Sequence, residues 1–281
     1  MSVPQPSDLA ESVESGELPE TVIRVRDMVK FYGDREILKG IDVDIRRGEI
    51  MVVMGGSGSG KSTFLRHIIG LERPTSGSIQ VLGKELSEMS ALETTEFSKN
   101  IGVAFQGGAL FSSMTVGENV MLPLREHTSL DPMTMEIMMR MKLEVVSLSG
   151  FEDLMPSELS GGMIKRAAFA RAIVTDPQIL FCDEPSAGLD PVVSAALDEL
   201  ILRLRDAMQM TIVVVTHELE SAFRIADRIT VLDRGKILIT GSVDEVRNCE
   251  HGRVQDLLNR RFKEEELDPD AYLERLTGGA P

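Results

Sequence analysis

The stretch "IMVVMGGSGSGKST", residues 50–63, decides the fold. Its first half is a continuous apolar run, which is typical of a β-strand buried on both faces of a sheet. Its second half fits the pattern G-x-x-x-x-G-K-[ST], in which glycines let successive backbone N–H groups surround phosphate oxygens. A strand, this loop and a following helix together predict a nucleotide-binding α/β domain, with a flexible Gly/Ser turn as the alternative.

The residues of this loop have separate expected roles. Lys61 places a cation near the β and γ phosphates of ATP, and Ser62 offers a hydroxyl to Mg²⁺. ATP and Mg²⁺ are therefore the predicted cofactors. The residues predicted to bind ATP are Gly55, Gly56, Ser57, Gly58, Ser59, Gly60, Lys61, Ser62 and Thr63.

The rest of the chain supports an α/β core built around this strand. Two segments after Thr21, "TVIRVRD" and "IDVDI", alternate apolar and polar residues as half-buried strands do. Further buried strands are predicted at 101–105, 178–182 and 211–215, with helical stretches between them, as a parallel sheet requires.

Outside these strands we expect one inserted subdomain and two flanking segments. Residues 107–157 contain no strong strand, so we predict a helical subdomain over about 107–165 within a domain spanning 21–242. For its methionine-rich helix, Met133 to Met141, we favour packing in the core or within the subdomain over contact with a membrane protein. We expect a disordered acidic leader over 1–20, and two short helices with a charged tail over 243–281.

Composition excludes several classes of protein. The formal net charge of −15 over 281 residues argues against a general nucleic-acid binder. No apolar run has the length of a membrane span, and the first residues do not resemble a secretion signal, so we expect a cytosolic protein. The two cysteines, Cys182 and Cys249, are too few for a disulfide framework.

Two carboxylates follow the strand in "QILFCDEP", residues 178–185. Ligands bind at the carboxyl edge of open parallel sheets, which is where Asp183 and Glu184 would lie. We predict that Asp183 holds Mg²⁺, directly or through water, and that Glu184 orients and deprotonates the attacking water. An acidic pair at a helix N-terminus, favoured only by the helix dipole, is the alternative.

Two further polar residues end neighbouring strands. His217 in "VVVTHE" could contact the γ-phosphate, and Gln106 in "AFQ" could bind Mg²⁺ or position water. A structural histidine and a surface glutamine are the respective alternatives.

A second helix start, "ELSGGMIKRAAFARAI" at 158–173, also has the form of an anion site. Together with "GGSGSGKST", "FQGG", "LFCDEP", "SAGLD" and "THE", in this order, it resembles the nucleotide-binding domain of ABC transporters from about Thr21 to Gly241. The resemblance implies a P-loop NTPase fold of the ABC ATPase type, with a RecA-like core, an antiparallel β subdomain and an inserted helical subdomain. It also implies that Tyr32, or else Phe31, stacks on adenine.

The resemblance explains why one chain has two anion sites. In the family, the motif matched by "LSGGM" completes the ATP site of a second subunit, so Ser160, Gly161 and Gly162 would face the nucleotide bound to the partner. Asp190 in "SAGLD" would lie at the interface of a homodimer. The alternative for Ser160 is an ordinary helix N-cap.

A narrower resemblance points to a cargo. The stretches "FQGGALFSSMTVGENVMLPLREHTSL", "ELSGGMIKRAAFARAI" and "RVQDLLNRRF" look like the ATPase of Mla-type phospholipid transport systems, although the long leader and the tail depart from that pattern. The resemblance implies a membrane permease, an MCE-domain lipid-binding protein and a peripheral position on the cytoplasmic face of the inner membrane. An ATPase of another importer or exporter, or a soluble ABC ATPase, remains the alternative.

Overall fold

A computed structural model describes residues 20–259 of the chain. The predicted leader, apart from Glu20, and the end of the C-terminal extension lie outside the described residues. The strands are β1 (Thr21–Tyr32), β2 (Arg35–Arg46), β3 (Ile50–Met54), β4 (Ser76–Val81), β5 (Lys84–Glu85), β6 (Ile101–Ala104), β7 (Ile179–Asp183), β8 (Thr211–Thr216), β9 (Arg228–Asp233) and β10 (Lys236–Ser242). The helices are α1 (Lys61–Ile68), α2 (Ala91–Ser98), α3 (Val116–His127), α4 (Pro132–Val145), α5 (Gly161–Ala172), α6 (Pro191–Met208), α7 (Leu219–Ile225), α8 (Val243–Arg247) and α9 (Gly252–Leu258).

The central sheet of the described region has the strand order β10-β9-β3-β8-β7-β6. Strand β3 lies between β8 and β9 and is parallel to both, and β7 is parallel to β8 and β6. The strands predicted at 50–54, 101–105, 178–182 and 211–215 are therefore confirmed, with ends that differ by at most one residue. Strands β9 and β10 extend this sheet and were missed by the sequence analysis.

Strand β3 is buried on both faces, as its unbroken apolar sequence predicts. Ile50, Val52 and Met54 pack into one hydrophobic cluster with α3 to α9, whereas Met51 and Val53 pack into the other. The second cluster contains Phe64 and Leu65 of α1 together with residues of β1 and β2, so α1 is packed between the two sheets.

The second sheet is antiparallel and has the order β2-β1-β4-β5 in the described chain. The alternating sequences of β1 and β2 are confirmed as half-buried strands, with Val25 opposite Val43. This sheet places Tyr32, at the end of β1, beside the C-terminal half of α1.

Helices α3, α4 and α5 follow β6, and α5 continues to Ala172, past the predicted subdomain boundary at about 165. Helix α4 starts with Asp131 as N-cap and Pro132 in the first turn. Met139 is 3% exposed, but Met133 and Met141 are 72% and 58% exposed. The expectation that this methionine-rich helix packs in the core is therefore wrong for one of its faces.

The C-terminal extension begins with two short helices, α8 and α9, as predicted. Val246 and Val254 are fully buried and join the cluster around α3 to α7. Helices α8 and α9 are thus part of the folded domain. Within residues 20–259, every helix is too short or too polar to cross a membrane.

Candidate ATP site

The predicted site residues meet at one edge of the central sheet. In the parallel register Met54 lies opposite Thr216, and Asp183 lies opposite Val215. The segments that follow β3, β7 and β8 therefore leave the sheet side by side, and Gln106 follows β6 at the same edge. This is the edge at which open α/β sheets bind ligands.

Backbone conformation explains the glycines of the loop between β3 and α1. Gly58 and Gly60 have φ angles of 72° and 107°, which disfavour any residue with a Cβ atom. At Gly55 a Cβ atom would lie 2.7 Å from Ser59 Oγ and would clash with the carbonyl of Leu232. The loop is therefore tightly wound against β9.

The start of α1 is available to an anion. Among the described residues, no side chain caps this helix and no acidic residue occupies its first turn. Unpaired N–H groups and the helix dipole favour a bound phosphate at such a terminus. Ser57 and Ser62 are exposed beside it, and Thr63 is half-buried.

Lys61 is the cation of this loop. Its ammonium donates to the carbonyls of Gly55, at 2.8 Å, and Gly56, at 3.0 Å. Burial lowers the pKa of Lys61, whereas the neighbouring Glu184 and Asp183 raise it. These two hydrogen bonds hold the Lys61 ammonium against the phosphate loop.

Asp183 ends β7 with a carboxylate that the protein does not fully satisfy. Its Oδ1 atom is buried and has no hydrogen-bond partner among the described residues. Burial, and then Glu184, raise the pKa of Asp183, while Arg66, Lys61 and Lys165 oppose that rise. A buried carboxylate oxygen without a partner among the described residues, close to Lys61 of the phosphate loop, fits an oxygen-liganded divalent cation.

Glu184 is held by the neighbouring strand. Its carboxylate accepts hydrogen bonds from the Thr216 hydroxyl at 3.2 Å and from the His217 amide at 3.4 Å. The His217 Nδ1 atom lies 2.9 Å from the other carboxylate oxygen. Glu184 is 8% exposed, whereas the His217 side chain is 59% exposed, so the imidazole covers the carboxylate from the solvent side.

The backbone of Glu184 is strained. Its φ of 47° lies in the left-handed region, which costs a residue with a side chain about 1–3 kcal/mol. Its amide donates to the carbonyl of Val215 at 2.8 Å, which fixes the turn after β7. Such strain is concentrated at functional sites, in agreement with the predicted role of Glu184.

The sequence analysis missed Lys165, which is 8% exposed. Its ammonium donates to the backbone carbonyl of Gln106 and, at 3.2 Å, to that of Glu184. The side chain of Gln106 is exposed at the same edge. Helical spacing offered a signal, because position 165 shares a face with Gly162 and Phe169, both of which are buried.

Tyr32 is 43% exposed and anchored at its hydroxyl, which donates to Glu72. This hydrogen bond raises the pKa of Tyr32. The Lys30 ammonium lies 5.0 Å from the centre of the Tyr32 ring and also approaches Glu72. Phe31 is similarly exposed, so both predicted aromatics are accessible to a base.

The two remaining motifs begin helices. Ser160 caps α5 by accepting from the amide of Met163 at 3.3 Å, and Asp190 caps α6 by accepting from two amides. Gly162 is buried against α6, where a Cβ atom would lie 2.7 Å from Val193. Within one chain Ser160 and Asp190 act as caps, and their role toward a second chain stays a prediction.

Comparison with known proteins agrees with this geometry. The family model described as ABC transporter matches residues 38–187. The chain is 41% identical to a probable ribonucleotide transport ATP-binding protein, mkl, of Mycobacterium leprae, over 88% of this chain and 71% of the relative. It is 40% identical to the intermembrane phospholipid transport system ATP-binding protein MlaF of Escherichia coli K12, over 85% and 88% of the two chains. The fold matches the dimeric post-hydrolysis structure of the ATP-binding cassette MJ0796 bound to ADP and Pi, with a TM-score of 0.73, 30% identity and coverage of 79% and 98%.

Proposed function

The chain belongs to the ABC transporter family, and we propose that two copies of it hydrolyse ATP to drive phospholipid transport between membranes. Phospholipid is inferred as the cargo from the 40% identity to a phospholipid transport ATPase over 85% of this chain. The acidic pair near the phosphate loop, with Glu184 buried and Asp183 half-buried, supports ATP hydrolysis.

Hydrolysis requires three tasks of this chain. Residues 55–63 bind the phosphates through backbone amides and Lys61. The carboxylate of Glu184 accepts the proton of the attacking water, held in place by Thr216 and His217. Gln106 is exposed at the same edge of the sheet, and its amide would either orient that water or bind Mg²⁺. Mg²⁺, held by Ser62 and Asp183, would neutralise charge on the phosphates.

We assign the second anion site to the partner's nucleotide. Ser160 and Gly161 are exposed at the start of α5, so in a single chain this helix terminus is accessible to an anion held by a partner. A two-fold axis relating two chains creates two equivalent sites, each with one phosphate loop and one α5 start. The dimeric relative bound to ADP and Pi supports this arrangement, and Asp190 would line the interface.

For the permease we propose a groove of about 360 Å³ between β6 and α3. Phe105 and Phe111 are exposed at its mouth, and Leu122 and Pro123 form its wall. Exposed apolar side chains grouped in this way, rimmed by polar residues, mark a surface that binds a partner. A permease held here would keep the chain at the cytoplasmic face of the inner membrane, with an MCE-domain protein as a further partner.

We expect Phe111→Asp to reduce co-purification of the permease by at least about ten-fold, because a carboxylate would be desolvated in the docked groove. Phe111 is 51% exposed, so the unbound protein should fold and hydrolyse ATP normally. Leu110, in contrast, packs against the core and is a poor position for this test. Pull-down of the permease by the tagged ATPase measures the effect.

The control for Phe111→Asp is Leu92→Asp, which places the same charge on α2 at a residue that is 82% exposed. This variant should leave the yield of complex unchanged. A Phe111→Asp protein that recovers as much permease as Leu92→Asp would place the interface elsewhere.

We predict that two truncations of the C-terminal extension, one starting at residue 243 and one at residue 260, differ in their effect on stability. Deleting 243–281 would remove two fully buried valines of α8 and α9, each worth about 1.5–3 kcal/mol of unfolding free energy. Deleting 260–281 removes neither valine, so this truncated protein should unfold at the wild-type temperature. It should lose dimerisation or transport if the tail binds the partner chain. Thermal unfolding and transport assays compare the two truncations; equal unfolding temperatures would show that α8 and α9 are not part of the core.

The cargo is tested by purifying the whole complex from membranes and identifying bound small molecules by mass spectrometry. Phospholipid in stoichiometric amount, with turnover that depends on the permease, supports the proposal. Ribonucleotide transport is the second candidate, because the name of a 41% identical relative refers to it. Stimulation of ATPase activity by ribonucleosides but not by phospholipid would favour that candidate.

A further inference from the structure

We propose that Lys165 is a positioning residue that ties the signature helix α5 to the catalytic centre of its own chain. The inference rests on the proposed function, because it takes Gln106 and Glu184 as the residues that face the attacking water. The Lys165 side chain would then couple the nucleotide bound by the partner to hydrolysis in this chain.

The geometry places Lys165 between the two sites. Ser160 caps helix α5, and Lys165 follows five residues later, which is about 7.5 Å along the helix axis. The ammonium at that level donates to the carbonyls of Gln106 and Glu184, which lie on separate segments of the chain. A rigid helix thus joins the anion site offered to the partner to both residues at the water position.

The contact at Glu184 acts on its strained backbone. Glu184 has a left-handed backbone conformation, and its carbonyl accepts hydrogen bonds from the Lys165 ammonium and from the Ala187 amide, both at 3.2 Å. The carboxylate is fixed separately, by Thr216 and His217 on the β8 side. Removing the ammonium leaves the carboxylate bonds in place but weakens the hold on the turn that orients the carboxylate, because the turn then keeps only the backbone bonds of Glu184 to Val215 and Ala187.

The burial of the Lys165 ammonium indicates that this lysine is more than a solvent-exposed polar residue of α5. An amine that is 8% exposed loses most of its hydration and needs strong acceptors to remain charged. Two backbone carbonyls supply the hydrogen bonds, and the nearby Asp183 and Glu184 carboxylates supply the opposing charge. Lys165 also partly balances the negative charge of the acidic pair.

Displacement of α5 therefore changes the catalytic centre. When the partner's nucleotide draws the start of the helix toward the interface, Lys165 moves with it, and the carbonyls of Gln106 and Glu184 follow. Hydrolysis then responds to closure of the dimer through a contact inside each chain.

The test uses Lys165→Met, which keeps an unbranched side chain, one bond shorter, and removes its charge and donors. We expect kcat to fall at least about ten-fold, with the ATP dissociation constant within about two-fold of wild type. The matched control is Lys142→Met, which removes a lysine paired with Asp176 at the opposite end of β7. The control should keep wild-type kcat, and thermal unfolding checks that both proteins fold.

Two more variants complete the test. Lys165→Arg retains charge and donors and should recover part of the lost kcat, whereas Lys165→Gln, uncharged and one bond shorter, should lose about five-fold or more. If Lys165→Met does not fold, Lys165→Gln decides. A folded Met or Gln variant with the kcat of Lys142→Met overturns the inference, as does a loss of ATP binding that accounts for the whole loss of turnover. Failure of the proposed function is distinguishable, because then Glu184→Gln would hydrolyse ATP normally.

Discussion

Glu184→Gln is expected to bind ATP like the wild-type protein and to lose nearly all turnover. The amide oxygen can still accept from the Thr216 hydroxyl and the His217 amide, so the local structure should survive. An amide cannot take a proton from water, and loss of a general base lowers kcat about 100- to 10,000-fold. Steady-state phosphate release and equilibrium nucleotide binding separate the two effects.

The control for this substitution is Glu220→Gln, the same change at an exposed position in the first turn of α7. It should leave kcat unchanged. Hydrolysis by Glu184→Gln at the rate of Glu220→Gln would remove Glu184 from its catalytic role and leave its hydrogen bonds as purely structural.

Two inactive variants should restore activity to each other when mixed. Lys61→Ala removes the cation of the phosphate loop, and Ser160→Arg blocks the anion site at the start of α5. In a mixed dimer one site combines the intact loop of one chain with the intact α5 start of the other. Random mixing of independent sites would restore roughly a quarter of wild-type ATPase activity, since half of the dimers are mixed and each has one working site of two.

In the control experiment, Ser157→Arg is used in place of Ser160→Arg. Ser157 is exposed, lies about one turn before Ser160 and does not cap α5. Ser157→Arg should be active by itself. If Ser160→Arg alone hydrolyses ATP at the rate of Ser157→Arg, the α5 start takes no part in the ATP site.

The phosphate loop was predictable because its residues act through the backbone and sit in one continuous stretch. The pattern G-x-x-x-x-G-K-[ST] dictates both the glycines at left-handed positions and the cation at Lys61. The doubly buried strands were equally visible as unbroken apolar runs. Strand β10 escaped because it is a half-buried edge strand that ends at Gly241 and Ser242 and carries a weaker pattern.

Lys165 was not predictable with the same rules. Lysine is rarely buried, and its partners here are backbone carbonyls of residues 106 and 184, which leave no signature in the side chains. The left-handed turn at Glu184 was hidden for a similar reason, since glutamate has no preference for that conformation. Such features arise from tertiary contacts between distant segments.

The methionine-rich helix shows a limit of periodicity. Met133 and Met141 lie on one face of α4 and Met139 lies on another, so composition alone could not show which of them enter the core. Packing against α3 and α5 buries Met139 and leaves the other two exposed.

The proposal that two chains share each ATP site is tested most directly by a disulfide between them. Cysteines replace Ser57 and Ser160, both exposed, in a Glu184→Gln chain that holds ATP. Cys182 can remain, because it is fully buried and burial raises the pKa of its thiol, while Cys249 is changed to alanine. A disulfide needs Cα atoms within roughly 7 Å, so the adjacent pair Ser57 and Gly161 is tried in parallel. We predict a disulfide-linked dimer that forms with ATP and is absent without it; bonds that form only within one chain, or equally without nucleotide, would contradict the shared site.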